Sequence, residues 1–177
     1  MGVSRLNHAV LYVRDAARTV AFYRDVLDFS TTTELPGGAG AFLRAPGSTN
    51  DHDVAFFSIG HDAADSPAGR GSVGLYHLAW EVETLDDLEQ LAGRLHAAGA
   101  LAGASDHGTT KSLYAKDPDG LEFEVVWVIP AHLLTKADVE AGARIRPLDL
   151  AREKARFGGS ERGGLGISIP LGVSVGV

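Results

Sequence analysis

Residues 106–127 read DHGTTKSLYAKDPDGLEFEVVW, two apolar runs joined by the turn formers Asp117-Pro118-Asp119-Gly120. The strand SLYAK enters the turn and LEFEVVW leaves it, a β-hairpin whose register is set by the fixed φ of Pro118 and the freedom of Gly120. Side chains alternate along a strand, so Leu121, Phe123 and Val125 share one face and Glu122, Glu124 and Val126 the other. Glu122, next to the turn, is readily solvated. Glu124 lies among Phe123, Val125, Val126 and Trp127, where a carboxylate either faces water or needs a partner or a metal.

Outward from the hairpin, the pattern falls into two halves. In the first, LNHAVLYV reads as a buried strand carrying His8, Asp15 caps a helix AARTVAFYRDVL, and FSTTTEL, AGAFLRA and DVAFFSIG follow as strands. Residues 60–72, GHDAADSPAGRGS, are turn-rich and read as a surface connection. Then the order repeats. GLYHLAWEV is a strand, Thr84 caps the helix LDDLEQLAGRLHAAG, Gly99 ends it, and ALAGAS, SLYAK and LEFEVVW complete a second βαβββ unit. Aligning NHAVLYV with YHLAWEV puts His8 and His77 at the same place in each repeat. The expected organisation is a first βαβββ module over 1–60, a connecting loop over 61–73, a second module over 74–130, and a helical extension with a Gly-rich apolar tail over 131–177. All of it forms one α+β domain with a cupped, mostly antiparallel sheet.

The whole chain has 177 residues, enough for a core that buries roughly 70% of its unfolded surface. It has no cysteine, which excludes disulfides and thiolate sites and leaves nitrogen and oxygen to hold any metal. A net charge of −7 without a basic stripe argues against nucleic acid. The start, MGVSRLNHAVLYV, is too short and too mixed for a signal peptide or a membrane span, so the cytoplasm is expected.

If the paired units bring their first strands together, His8 and His77 approach one another and Glu124 completes two imidazoles and a carboxylate. Such a set suits non-haem Fe(II), with Mn(II), Co(II), Ni(II) or Zn(II) also compatible. With these residues the chain resembles the vicinal oxygen chelate superfamily of glyoxalases, fosfomycin-resistance transferases, bleomycin-binding proteins and extradiol dioxygenases. The run His107, Leu113-Tyr114, Asp117-Pro118-Asp119-Gly120, Glu124 is similar to the type I extradiol dioxygenase signature, with Ser105 where that signature usually has Gly, Asn, Thr, Ile or Val. The segment His52-Asp53-Val54-Ala55 is similar to one that carries the acid–base histidine in those enzymes.

The resemblance implies an Fe(II) site on His8, His77 and Glu124, with His52, His107 and Tyr114 catalytic. A small aromatic diol and O2 would be the reactants, the ring being cleaved beside its hydroxyls. Most enzymes of this type carry four units; two units resemble the one-domain members, and their exposed sheet edges favour a homo-oligomer. A glyoxalase-like isomerase or thiol transferase would use the same three ligands, and a drug-binding protein could dispense with them. His61, in the loop, is the weaker catalytic candidate, and His96 and His132 are expected at the surface.

Overall fold

The computed structural model describes residues 2–3, 5–69, 71–142 and 144–164. The chain divides into two compact units, one of residues up to Ser72 with Asp117–Leu121, the other of Val73–Lys116 with Glu122 onward.

In the first unit the strands β1 (Ala9–Val13), β2 (Ser30–Glu34), β3 (Gly40–Arg44) and β4 (Val54–Ser58) form a sheet in the order β1-β4-β3-β2. Only the β1/β4 pair is parallel. Helix α1 (Ala16–Leu27) starts at Asp15, whose carboxylate accepts from the Ala17 N–H at 2.9 Å. Its buried residues Ala16, Thr19, Val20, Tyr23 and Leu27 recur every three or four positions, the stripe a helix needs to cover a sheet. Tyr23 packs on Phe56 with ring centroids 4.7 Å apart, and Phe56, Val54 and Leu43 are fully buried. Phe56 is therefore a core residue and does not line a site.

The second unit repeats the plan with β5 (Leu78–Glu81), α2 (Leu85–Ala97), β6 (Leu101–Asp106), β7 (Thr110–Lys116) and β8 (Glu122–Val128). Its sheet order is β5-β8-β7-β6-β9, β5 running parallel to β8. Thr84 and Asp87 cap α2 reciprocally. At the other end Gly99 adopts φ +66°, and the N–H groups of Gly99 and Ala100 return to the carbonyls of His96 and Leu95. Leu85, Leu88, Leu91 and Leu95 are the buried face of α2. On β8, Phe123, Val125 and Trp127 are buried, while Glu122, Glu124 and Val126 take the opposite, half-buried face.

The expected helical extension is present as α3 (Lys136–Ala141) and α4 (Leu150–Phe157). Between them the two-residue strand β9 (Arg146–Pro147) adds to β6, a pairing too short to leave an alternating pattern. Phe157 packs on Trp127 at 5.5 Å. The apolar alternation of the tail falls on residues 165–177, outside the described ones. Among the described residues no helix is long and apolar enough to cross a membrane.

Two strands are shorter than their apolar patterns predict. β1 begins at Ala9 and β5 at Leu78, so His8 and His77 each sit one residue before a strand and not inside it. The cause is pairing. The β1 ladder opens where Ala9 meets Val54, the first residue of β4, and the β5 ladder opens where Leu78 meets Phe123.

Candidate active site

In the first unit, the parallel β1/β4 register places His8 beside His52, which lies two residues before β4. Their rings are 4.4 Å apart between centroids. His8 is exposed and its Nδ1 contacts the Asn7 side-chain oxygen at 2.7 Å. His52 Nδ1 contacts Asp51 Oδ2 at 2.7 Å, and its ring meets Phe42 edge-on at 5.0 Å. The His52 hydrogen bond holds the Asp51 carboxyl below its ordinary pKa.

The second unit gathers the other four predicted residues on one face of its sheet. Glu124 on β8 is flanked by Ala79 of β5 and Tyr114 of β7. His77, two residues before Ala79, shares that face, and its Nε2 lies 3.0 Å from Glu124 Oε2. Glu124 is therefore not a solvated strand residue: its side chain is only 13% exposed and its partner is an imidazole. Tyr114 lies across the strand pair from Glu124, and its hydroxyl meets His107 Nε2 at 2.8 Å. Burial, then the charge of Glu124 and the neighbouring Tyr76, push the Tyr114 phenol above its ordinary pKa. The hydroxyl thus keeps its proton and remains a hydrogen-bond donor at neutral pH.

One His77 ring nitrogen is spent on Glu124, and the other, Nδ1, is buried without a hydrogen-bond partner among the described residues. A buried polar atom left unpaired costs about 1–3 kcal/mol, so the pair is under-satisfied as it stands. Imidazole and carboxylate are also the donors that divalent Fe, Mn, Co, Ni and Zn accept, so the residues fit a metal. Among the described residues no group of three or more His, Asp or Glu side chains is assembled to hold one. His77 and Glu124 meet within the second unit, and His8 belongs to the first.

The hairpin turn between β7 and β8 is tied by its own aspartate. Asp117 Oδ1 accepts the N–H groups of Asp119 and Leu121, each at 2.9 Å, and Gly120 takes φ +81°. Asp119 in turn receives Arg14 at 3.0 Å. Arg14 also donates to the Ala63 carbonyl and pairs with Asp65, which ties down the loop after β4. His61 in that loop is exposed, as is His96. His132 is exposed as expected, but it has a partner in Glu161 at 3.2 Å.

Sequence reading missed a buried ionic cluster next to His107. Lys111, 1% exposed, contacts Asp106 Oδ1 at 2.6 Å and Glu153 Oε2 at 3.1 Å, and both acids are buried. The signal was in the strand pattern: Lys111 falls in phase with the core residues Leu113 and Ala115.

The profile of the Glyoxalase/Bleomycin resistance protein/Dioxygenase superfamily matches residues 5–125. The manganese-dependent 2,3-dihydroxybiphenyl 1,2-dioxygenase of Geobacillus genomosp. 3 is 24% identical over 129 residues, 71% of this chain but 37% of that enzyme. A probable lactoylglutathione lyase of Synechocystis sp. is 26% identical over 126 residues, 68% of this chain and 93% of that protein. The chain therefore spans less than half of the dioxygenase and nearly all of the lyase. Among solved structures, a glyoxylase/bleomycin resistance protein/dioxygenase domain from Frankia sp. EAN1pec superposes with a TM-score of 0.63 at 24% identity. That match covers 75% of this chain and 98% of that one.

Proposed function

Because the chain belongs to the Glyoxalase/Bleomycin resistance protein/Dioxygenase superfamily, whose members include metal-dependent enzymes, we propose that it is an extradiol dioxygenase. It would take a catechol-type diol and O2 and insert both oxygen atoms as the ring opens beside its hydroxyls. The observation that carries this reading is the Tyr114–His107 hydrogen bond on the same sheet face as the His77–Glu124 pair. An isomerase or thiol transferase of the superfamily needs the ligands but has no use for that second pair.

In this reading His77 and Glu124, which pair at 3.0 Å, are two of the metal ligands, and His8 is the third by its matched place in the repeat. Fe(II), or another divalent metal with the same donor preference, would supply the Lewis acidity and electron relay for oxygen chemistry on a diol. Tyr114, a neutral phenol, donates a hydrogen bond toward the substrate oxygens, and His107 fixes the direction of that hydroxyl. His52 takes a proton from a diol hydroxyl and returns it as the ring opens. Its Nδ1 is held by Asp51, which leaves Nε2 as the nitrogen that exchanges the proton.

The test is anaerobic loading with Fe(II), then addition of a catechol panel and air, recording oxygen uptake and visible absorbance. Uptake with a yellow product, lost in His8→Ala and Glu124→Ala, is the expected result. Metal bound without oxygen uptake across the panel would favour a second reading, a metal-dependent lyase or isomerase. That alternative is supported by the 93% coverage of the lyase relative.

A further inference from the structure

The buried cluster beside His107 has no part in the chemistry proposed above, and its contacts converge on the two residues that flank that histidine. Asp106, on the N-terminal side, uses Oδ1 to accept the Gly108 N–H at 2.8 Å and the Lys111 ammonium at 2.6 Å. Its Oδ2 receives Arg146 at 3.1 Å and Arg152 at 3.4 Å. On the C-terminal side, Lys111 also donates to the Gly108 carbonyl at 3.2 Å. Gly108 takes φ +77°, and a Cβ there would collide with the Asp138 carbonyl and lie 2.7 Å from the Gly142 nitrogen. The turn is thus pressed against α3.

The same cluster binds α4 through Glu153, whose carboxylate pairs with Lys111 at 3.1 Å and with Arg152 at 2.7 Å. Arg156 joins α4 to α3 by two 2.7 Å bonds to Asp138. Charges taken out of water are costly unless closely paired, and nearby apolar residues could dock a helix without that cost. The ions fix something an apolar contact would not: the direction of the backbone on both sides of His107.

We infer that Lys111, Asp106 and Glu153 are positioning residues, through which the C-terminal extension aims the His107 ring at the Tyr114 hydroxyl. The catalytic consequence rests on the role proposed above for His107, whereas the positional part is independent of any reaction. Asp106 shows that the cluster is well compensated: burial works to raise its pKa, but the Lys111 and Gly108 hydrogen bonds and the charges of Lys111 and Arg146 outweigh it and hold the carboxyl below its ordinary value.

The experiment uses the full chain with 15N-labelled histidine, the His107 ring signals being assigned by their loss in His107→Gln. Glu153→Gln is expected to shift and broaden the His107 ring signals while those of His77 and His132 stay in place. Arg152→Gln, at a side chain 58% exposed, is expected to act in the same direction with a smaller effect. If catechol turnover is established, Glu153→Gln should lower kcat by roughly tenfold or more, with KM little changed, since misaimed catalytic groups cost rate more than binding. Unchanged His107 signals in both variants, with only a lower unfolding temperature, would overturn the inference and leave the cluster as a brace for α4. If Glu153→Gln does not fold, the Arg152→Gln spectra decide alone. A chain that consumes no oxygen but shows the shifted His107 signals would retire the proposed function and leave the positioning intact.

Discussion

Asp117 shows how one buried carboxylate serves the turn that the sequence announces. Desolvation raises its pKa to about 6 against the accepted Leu121 and Asp119 N–H bonds, from an ordinary value of 3.8. A raised folded-state pKa means that the contribution of this group to stability is full below pH ~4. It falls away as pH rises through about 6, by roughly 3 kcal/mol at most. Asp117→Asn keeps an oxygen for both N–H donors and removes the charge. Its unfolding free energy at pH 7.5 should exceed wild type by about 1–2 kcal/mol, with no gain at pH 4, as denaturant titrations at the two pH values would show. At the proposed site, Tyr114→Phe removes the hydroxyl that meets His107 Nε2. A loss of roughly a hundredfold in kcat is expected, read by oxygen uptake, with the fold unchanged by circular dichroism.

Elements carry the next level of stability. The capping box of α2 satisfies the backbone N–H groups of Thr84 and Asp87 and the Thr84 hydroxyl, so Thr84→Ala should cost about 1 kcal/mol in thermal unfolding. Phe157 matters more, because it is the apolar contact by which α4 lies on Trp127. Phe157→Ala should cost about 3–5 kcal/mol. Helices of this kind are easily read: Asp15 and Thr84 cap where expected, and Val20, Tyr23 and Leu27 form the buried stripe. Strand starts are less legible. The apolar runs around His8 and His77 extend beyond the ladders, because a strand begins where its backbone pairs with a neighbour's, and apolar character does not mark that point.

For the whole chain, a bound divalent metal would act as a ligand of the folded state alone. Loading to about a hundredfold excess over Kd should then add about 2.7 kcal/mol to the unfolding free energy and raise the unfolding temperature. A chelator should reverse the shift, and His77→Ala and Glu124→Ala should abolish it. The two sheets, of four and five strands, confirm the repeated βαβββ plan read from the sequence. The repeat was visible because each unit carries the same chain of caps, turns and apolar strands. The ionic cluster was not, since its members lie at positions 106, 111, 146, 152 and 153 and are joined only by folding.

By itself the sequence determined the hairpin at Asp117–Gly120, the two caps, the alternation that puts Glu124 opposite Phe123 and Val125, and the family to which the chain belongs. These follow from local backbone preference and from period, both of which are written in neighbouring residues. Only tertiary structure decided that Glu124 meets His77, that His107 meets Tyr114, and that Lys111 is buried between two acids. Those pairings depend on strand register and on the docking of α4. A register shift of one residue turns a side chain to the opposite face, and no stretch of sequence fixes it alone.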